Sequence, residues 1–372
     1  MLKKIFFILL MLIVGINFIY ASVTDSVAEE IDLESVLDSL NEYSSIDIYS
    51  TTQDLIDGNG IDYGVIGNFL KNVLLKEVRL VIKHIINILI VIVLIAVANS
   101  FQLESNSDVI KLVSLVGFGV IMVMLLKDYT LILQSFKESV NKITEIVEII
   151  SPFMLAILIA TGKIATSGII SPIILFVTSL IGIIVNYVVI SLLTLSIVFK
   201  IITNISQTIK LEKLGKLCSL TSMWIVSVIF ALFLAILELE TSVTTSVDNV
   251  TIKVAQTAVS NVIPVVGKFV SDSMEVVMGA TQLVGKSVGV IGIVIIVITV
   301  LIPLIKIVIY TIIYSLLEAF SEALLVDNKI SNIIGAFKDQ YKIILGILFG
   351  IMTTFIIAIG IVISILGKVS GN

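Results

Sequence analysis

The chain has 372 residues, of which 58% are hydrophobic and 14% charged, and its 23 Lys and Arg against 28 Asp and Glu leave a formal net charge of −5. Soluble domains carry about 45–50% apolar and about 25% charged residues, so this balance excludes an ordinary water-soluble globule. One cysteine, Cys218, excludes an internal disulfide, and one histidine, His84, excludes His-rich metal sites and Ser/His/Asp or Cys/His catalysis.

Lys3 and Lys4 precede an apolar stretch that ends at the small residues Ala21 and Ser22, the outline of a secretory signal or of an uncleaved N-terminal anchor over residues 1–21. Residues 22–70 contain eleven acidic side chains and no Lys or Arg, so this acidic segment is expected to be exported. Ile31, Leu33, Val36, Leu37 and Leu40 give it one short amphipathic helix in an otherwise solvated stretch, suited to a docking peptide or a flexible spacer. A basic amphipathic lead-in with Lys71, Lys76 and Arg79 follows to residue 79, and Lys83 falls just inside the first span.

From Leu80 to Leu366 the chain returns repeatedly to apolar runs long enough to cross a bilayer, whose core about 30 Å thick takes about 20 helical residues. Unpaired backbone groups are too costly there for anything but helices or closed barrels, so the expected fold is all-α, a polytopic helical bundle over residues 80–366 with about six spans. The spans fall at Leu80–Ala98, Val109–Leu126, Ile169–Phe199, Leu217–Leu237, Val288–Leu317 and Ile343–Leu366, and residues 367–372 form a short tail. Asn59, Asp128, Lys210, Asp248 and Asp327 fall in the connections.

Two segments do not fit a simple crossing. Phe136, Val140, Ile143, Val147 and Ile150 recur at helical spacing among charges, which reads as an amphipathic helix lying on a surface. Ser151–Thr161 is too short to span and reads as a half-helix, re-entrant unless it joins the helix before it. Lysines favour the cytoplasm, so Lys200–Lys216 and Lys329–Lys342 belong inside and residues 238–287 outside. This outer segment carries Val243, Val247, Val250, Val254 and Ala258 before Pro264 and Gly267 break the pattern, as in surface-lying or re-entrant helices.

The chemistry-bearing motifs are sparse. Ala280–Ser287, ATQLVGKS, fits a loose phosphate-binding loop, but it runs into a membrane span without the strand and helix alternation that such a loop needs. Glu318 and Glu322 share a helical face and read as a solvated edge, His84 as interfacial and Cys218 as packing. Gly285 to Gly289 and Gly346 to Gly350 place glycines four apart, with Gly292 extending the first pair, and predict close helix seams within one chain or between copies in a homo-oligomer. Lys111 and Lys286 can snorkel to an interface, whereas Lys306, after Pro303, lies in a run longer than one crossing and is a candidate for a water-lined position. No catalytic, cofactor or metal site emerges, so an enzyme is not expected; lipid is the expected surrounding and nucleic acid is not an expected partner.

The residues Gly267, Asp272, Ser273, Glu275, Val276, Gly279, Lys286, Val288, Gly289, Gly292, Pro303, Lys306, Glu322, Asp327, Lys329 and Ile330 resemble the signature of the stage III sporulation protein AE family, with departures at Ala323 and Lys329. The resemblance implies a permease-like membrane subunit of a mother-cell to forespore channel or secretion-like complex. It also implies a place in the mother-cell membrane facing the engulfed forespore, sibling stage III proteins and a forespore membrane partner, and a need for the protein in forespore development. Two other readings of the residues stay open. One is an autonomous secondary transporter built on the proline-broken spans near Pro152, Pro172 and Pro303; the other is a structural scaffold.

Overall fold

The structure, a computed structural model, describes residues 63–100, 108–206, 209–262, 266–324 and 328–367. The N-terminal signal outline, the acidic segment up to residue 62, Pro264, Asp327 and the C-terminal tail lie outside them. The described residues form seven α-helices and no strand: α1 (Tyr63–Ser100), α2 (Asp108–Ala160), α3 (Ile164–Ile183), α4 (Ile190–Ile205), α5 (Glu212–Val262), α6 (Val266–Ala323) and α7 (Asn328–Gly367). A π-helical turn, Ile184–Val189, joins α3 to α4 without a break. Among the described residues six helices, counting α3 to α4 as one, are long and apolar enough to cross a membrane. The protein is an all-α polytopic membrane protein.

Three helices are inner and three are outer. In the most apolar stretch of α6, 72% of the residues are buried, against 28% for α5; α2 and α7 resemble α6, and α1 and α3–α4 resemble α5. The outer helices expose Leu94, Phe176, Tyr187, Trp224 and Leu239, side chains suited to lipid. The inner helices share a continuous core with Ile143, Ile150, Ile296, Ile307, Leu348 and Phe355.

Lipid offers no hydrophobic drive for helix association, so close contact depends on small residues and shape. Gly285, Gly289 and Gly292 supply it on α6. A Cβ at Gly285 would meet Ile157 and Leu366, one at Gly289 would lie 2.6 Å from Ile363 and 2.9 Å from Met154, and one at Gly292 would collide with Ile150. The predicted seam is therefore real, and it joins α6 to α2 and α7 within one chain. Gly346 and Gly350, by contrast, have nothing within 4 Å of such a Cβ.

Two local expectations differ from the structure for one reason. The amphipathic segment 132–150 does not lie on a surface: it is the middle of α2, and Ile132, Phe136, Val140 and Ile143 are fully buried against the inner helices. Ser151–Thr161 is not a separate half-helix, because α2 passes through Pro152 and ends beyond it. Within the segment 238–287 the described residues belong to the end of α5 and the start of α6, each continuous with a span. Periodicity reports that one face is apolar and says nothing about what covers it.

The turn after α2 is tightly specified. Gly162 adopts φ 79°, and the Gly162 and Lys163 amides donate to the Ile159 and Leu158 carbonyls at 2.9 and 2.8 Å, the paired bonds of a Schellman cap. Lys163 is fully buried, and its ammonium donates to the Ile365 carbonyl in the last turn of α7. A cation there complements both the orphan carbonyls and the negative helix end.

A Gly289→Ala change should lower stability by about 1–3 kcal/mol through overpacking. Gly346→Ala, in open space, should be neutral or stabilising by up to about 1 kcal/mol from helix propensity. Thermal unfolding of the two variants in detergent tests the contrast. If both melt together, the glycine seam does not hold the core.

Candidate functional site

The polar residues concentrate where α4, α5, α6 and α7 end together. Asp128, in the body of α2 rather than in a connection, is only 2% exposed, and Tyr314 Oη donates to its Oδ2 at 2.8 Å. Tyr314 stacks edge-on against Tyr341 with ring centroids 5.0 Å apart, and Tyr341 also touches Tyr310 and Tyr129. Tyr129 Oη donates to the Leu193 carbonyl at 2.9 Å, and Gln340 Nε2 donates to the same carbonyl at 3.2 Å. Ser196 Oγ lies 2.7 Å from the Gly215 carbonyl and 3.2 Å from Gln340 Oε1. This buried network ties α2, α4, α5, α6 and α7 at one level. Burial without such partners would cost several kcal/mol per polar group in lipid.

A cleft of about 590 Å³ opens next to it. Lys200, Glu212, Lys216, Glu318 and Asp339 line it, together with polar Thr203, Asn204, Ser219 and Asn332. Lys200 lies in the fields of Asp339 and Glu212. Gly215 lets α5 approach α4 here, since a Cβ would sit 2.9 Å from the Ser196 carbonyl oxygen. At the wall of the cleft Lys338 pairs with Glu318 at 2.5 Å, and Gly335 leaves the room that this carboxylate occupies. The Ser331 hydroxyl donates to Glu322 at 3.1 Å and ties the start of α7 to the end of α6. Mixed charge in a half-enclosed volume suits a polar or zwitterionic solute.

The residues singled out in the sequence are dispersed along α6. Gly267, Asp272, Glu275 and Gly279 lie in its first part, Lys286, Gly289 and Gly292 at the packed seam, Pro303 and Lys306 in its middle, and Glu322 near its end. Lys286 and Lys306 are half-buried. The ATQLVGKS stretch is helical throughout, so it forms no phosphate-cradling loop. Among the described residues no group of His, Cys, Asp and Glu could hold a metal ion. Sequence reasoning missed Asp128, Tyr314, Tyr341, Gln340 and Lys200 as a group. Only Asp128 carried a usable signal, a carboxylate between two apolar stretches of one helical period.

These features define a multi-pass helical membrane protein with a polar network and a charged cleft at one end of the bundle. The chain belongs to the stage III sporulation protein AE family, whose family model matches residues 46–365. Stage III sporulation protein AE of Bacillus subtilis (strain 168) is 23% identical over 205 residues, which cover 55% of this chain and 51% of that protein. The chain thus spans about half the length of this relative. No solved structure matches it.

Removing either partner of the buried pair should expose its cost. Asp128→Asn and Tyr314→Phe should each destabilise the protein, by about 1–3 kcal/mol where a buried group loses its partner. The double variant should fall short of the sum by about 0.5–3 kcal/mol. Strict additivity in a thermal or denaturant series would show that the two side chains do not interact.

Proposed function

We propose that this protein is the permease-like membrane subunit of the channel or secretion-like complex that connects the mother cell to the forespore, placed in the mother-cell membrane and needed for forespore development. Membership of the sporulation family supports a role in sporulation, and the observation that carries the finer reading is the charged cleft of about 590 Å³ beside a buried polar network. A protein that only holds others together has no use for an open basin whose five ionisable side chains resist burial. Sibling stage III proteins and a forespore membrane partner would complete the path. No enzymatic step is proposed.

Deletion should block sporulation after engulfment. A copy carrying Asp339→Leu, or Lys200→Leu, should accumulate in the membrane at the normal level yet sharply lower the yield of heat-resistant spores. Full sporulation by both variants would remove the cleft from the function. Solute uptake by the purified protein alone in liposomes would instead favour an autonomous transporter.

A further inference from the structure

Lys137, Glu138, Lys142, Glu145 and Glu148 all face outward along α2, while Phe136, Val140, Ile143 and Val147 on its other face are buried in the core. The depth of this stripe follows from its register with α6. Ile157 meets Gly285, Ile150 meets Gly292 and Asp128 meets Tyr314, equal steps along two antiparallel helices. The stripe therefore runs beside residues 294–305, within the most apolar of the six spans. Helix α3 and the π-turn give a second bearing, because Asn186 bonds Asn141 and Ser167 bonds the Leu155 carbonyl. In this same layer Phe176, Ile183 and Tyr187 are 66, 57 and 74% exposed. One layer of the molecule thus offers lipid-suited surface on one side and a row of charge on another.

Lipid does not cover such a row. A charged side chain at the centre of a spanning helix costs about 2.5–3.5 kcal/mol even on insertion scales. Snorkelling rescues long side chains near a helix end, whereas this stripe occupies several turns in mid-helix and includes three glutamates. Two copies packed face to face about an axis along the membrane normal would set Lys142 against Lys142 and Glu145 against Glu145, a repulsive match. Among the described residues none of the five is ion-paired within the chain; Glu138 accepts one hydrogen bond from Gln134.

Water satisfies all of these groups, and we infer that the outward face of α2 is the wall of an aqueous conduit across the membrane, closed on its far side by other subunits of the assembly. Positive and negative side chains along one face suit the passage of hydrated polar solutes of either sign and select against apolar ones. This inference rests on the channel reading above and adds which face lines the path.

Single cysteines at Glu138, Lys142 and Glu145, in a Cys218→Ser chain within membranes from sporulating cells, provide the test. A membrane-impermeant charged thiol reagent should label all three several-fold faster than cysteines at Phe176 or Ile183. In the unsubstituted chain, a water-soluble carbodiimide with a charged amine should modify Glu138, Glu145 and Glu148, which covers the case of a cysteine variant that fails to accumulate. Stripe positions as unreactive as Phe176, in a chain that still supports sporulation, would overturn the conduit wall and leave the channel reading standing. A labelled stripe together with solute uptake by the purified protein alone in liposomes would keep the water-lined face and overturn its closure by other subunits.

Discussion

The close approach of α6 to α2 and α7 at Gly285, Gly289 and Gly292 governs the geometry of the rest of the protein. Between helices surrounded by lipid there is no water to expel, so only fitted surfaces hold them. The three glycines present a smooth strip into which Ile157, Leu366, Ile363, Met154 and Ile150 insert. Once that strip is engaged, the register of α2 on α6 is fixed over the whole shared length. It carries Asp128 to Tyr314 and leaves Tyr341 of α7 stacked on the same ring.

Polar contacts close the two ends of this apolar middle. At one end Lys163 reaches the last turn of α7 from the Schellman turn after α2. At the other, Asp128, Tyr129, Gln340 and Ser196 bind the inner helices to α4 and α5 through side-chain bonds and two backbone carbonyls. Such bonds are directional, and in a low-dielectric surrounding an unpaired partner is costly, so they select one rotation of each helix. The charged cleft forms where the helices diverge beyond this layer. Lys200 and Lys216 descend from α4 and α5, and Glu318 and Asp339 from α6 and α7.

Much of this was legible from residues alone. The apolar runs gave the helical membrane class and the number of spans, because the thickness of a bilayer leaves few other uses for such lengths. Gly285, Gly289 and Gly292 announced a seam, since glycine repeated on one helix face has few other purposes. Gly346 and Gly350 announced one equally and open onto free space instead. The same spacing serves both outcomes, and only the neighbours distinguish them. The signature residues from Gly267 to Glu322 led to the correct family, yet the structure spreads them along α6 rather than gathering them at the cleft.

The sequence by itself determined the solvent of the fold and the helical class, because hydropathy and helix period are properties of consecutive residues. Only the tertiary structure decided that the amphipathic middle of α2 turns its apolar face to the core and its charges outward. Only it brought Asp128, Tyr314, Gln340 and Ser196 from four helices to one level. Both depend on the register between helices far apart in the chain, and that register is set by the fit of glycine against isoleucine, a contact that no local pattern encodes.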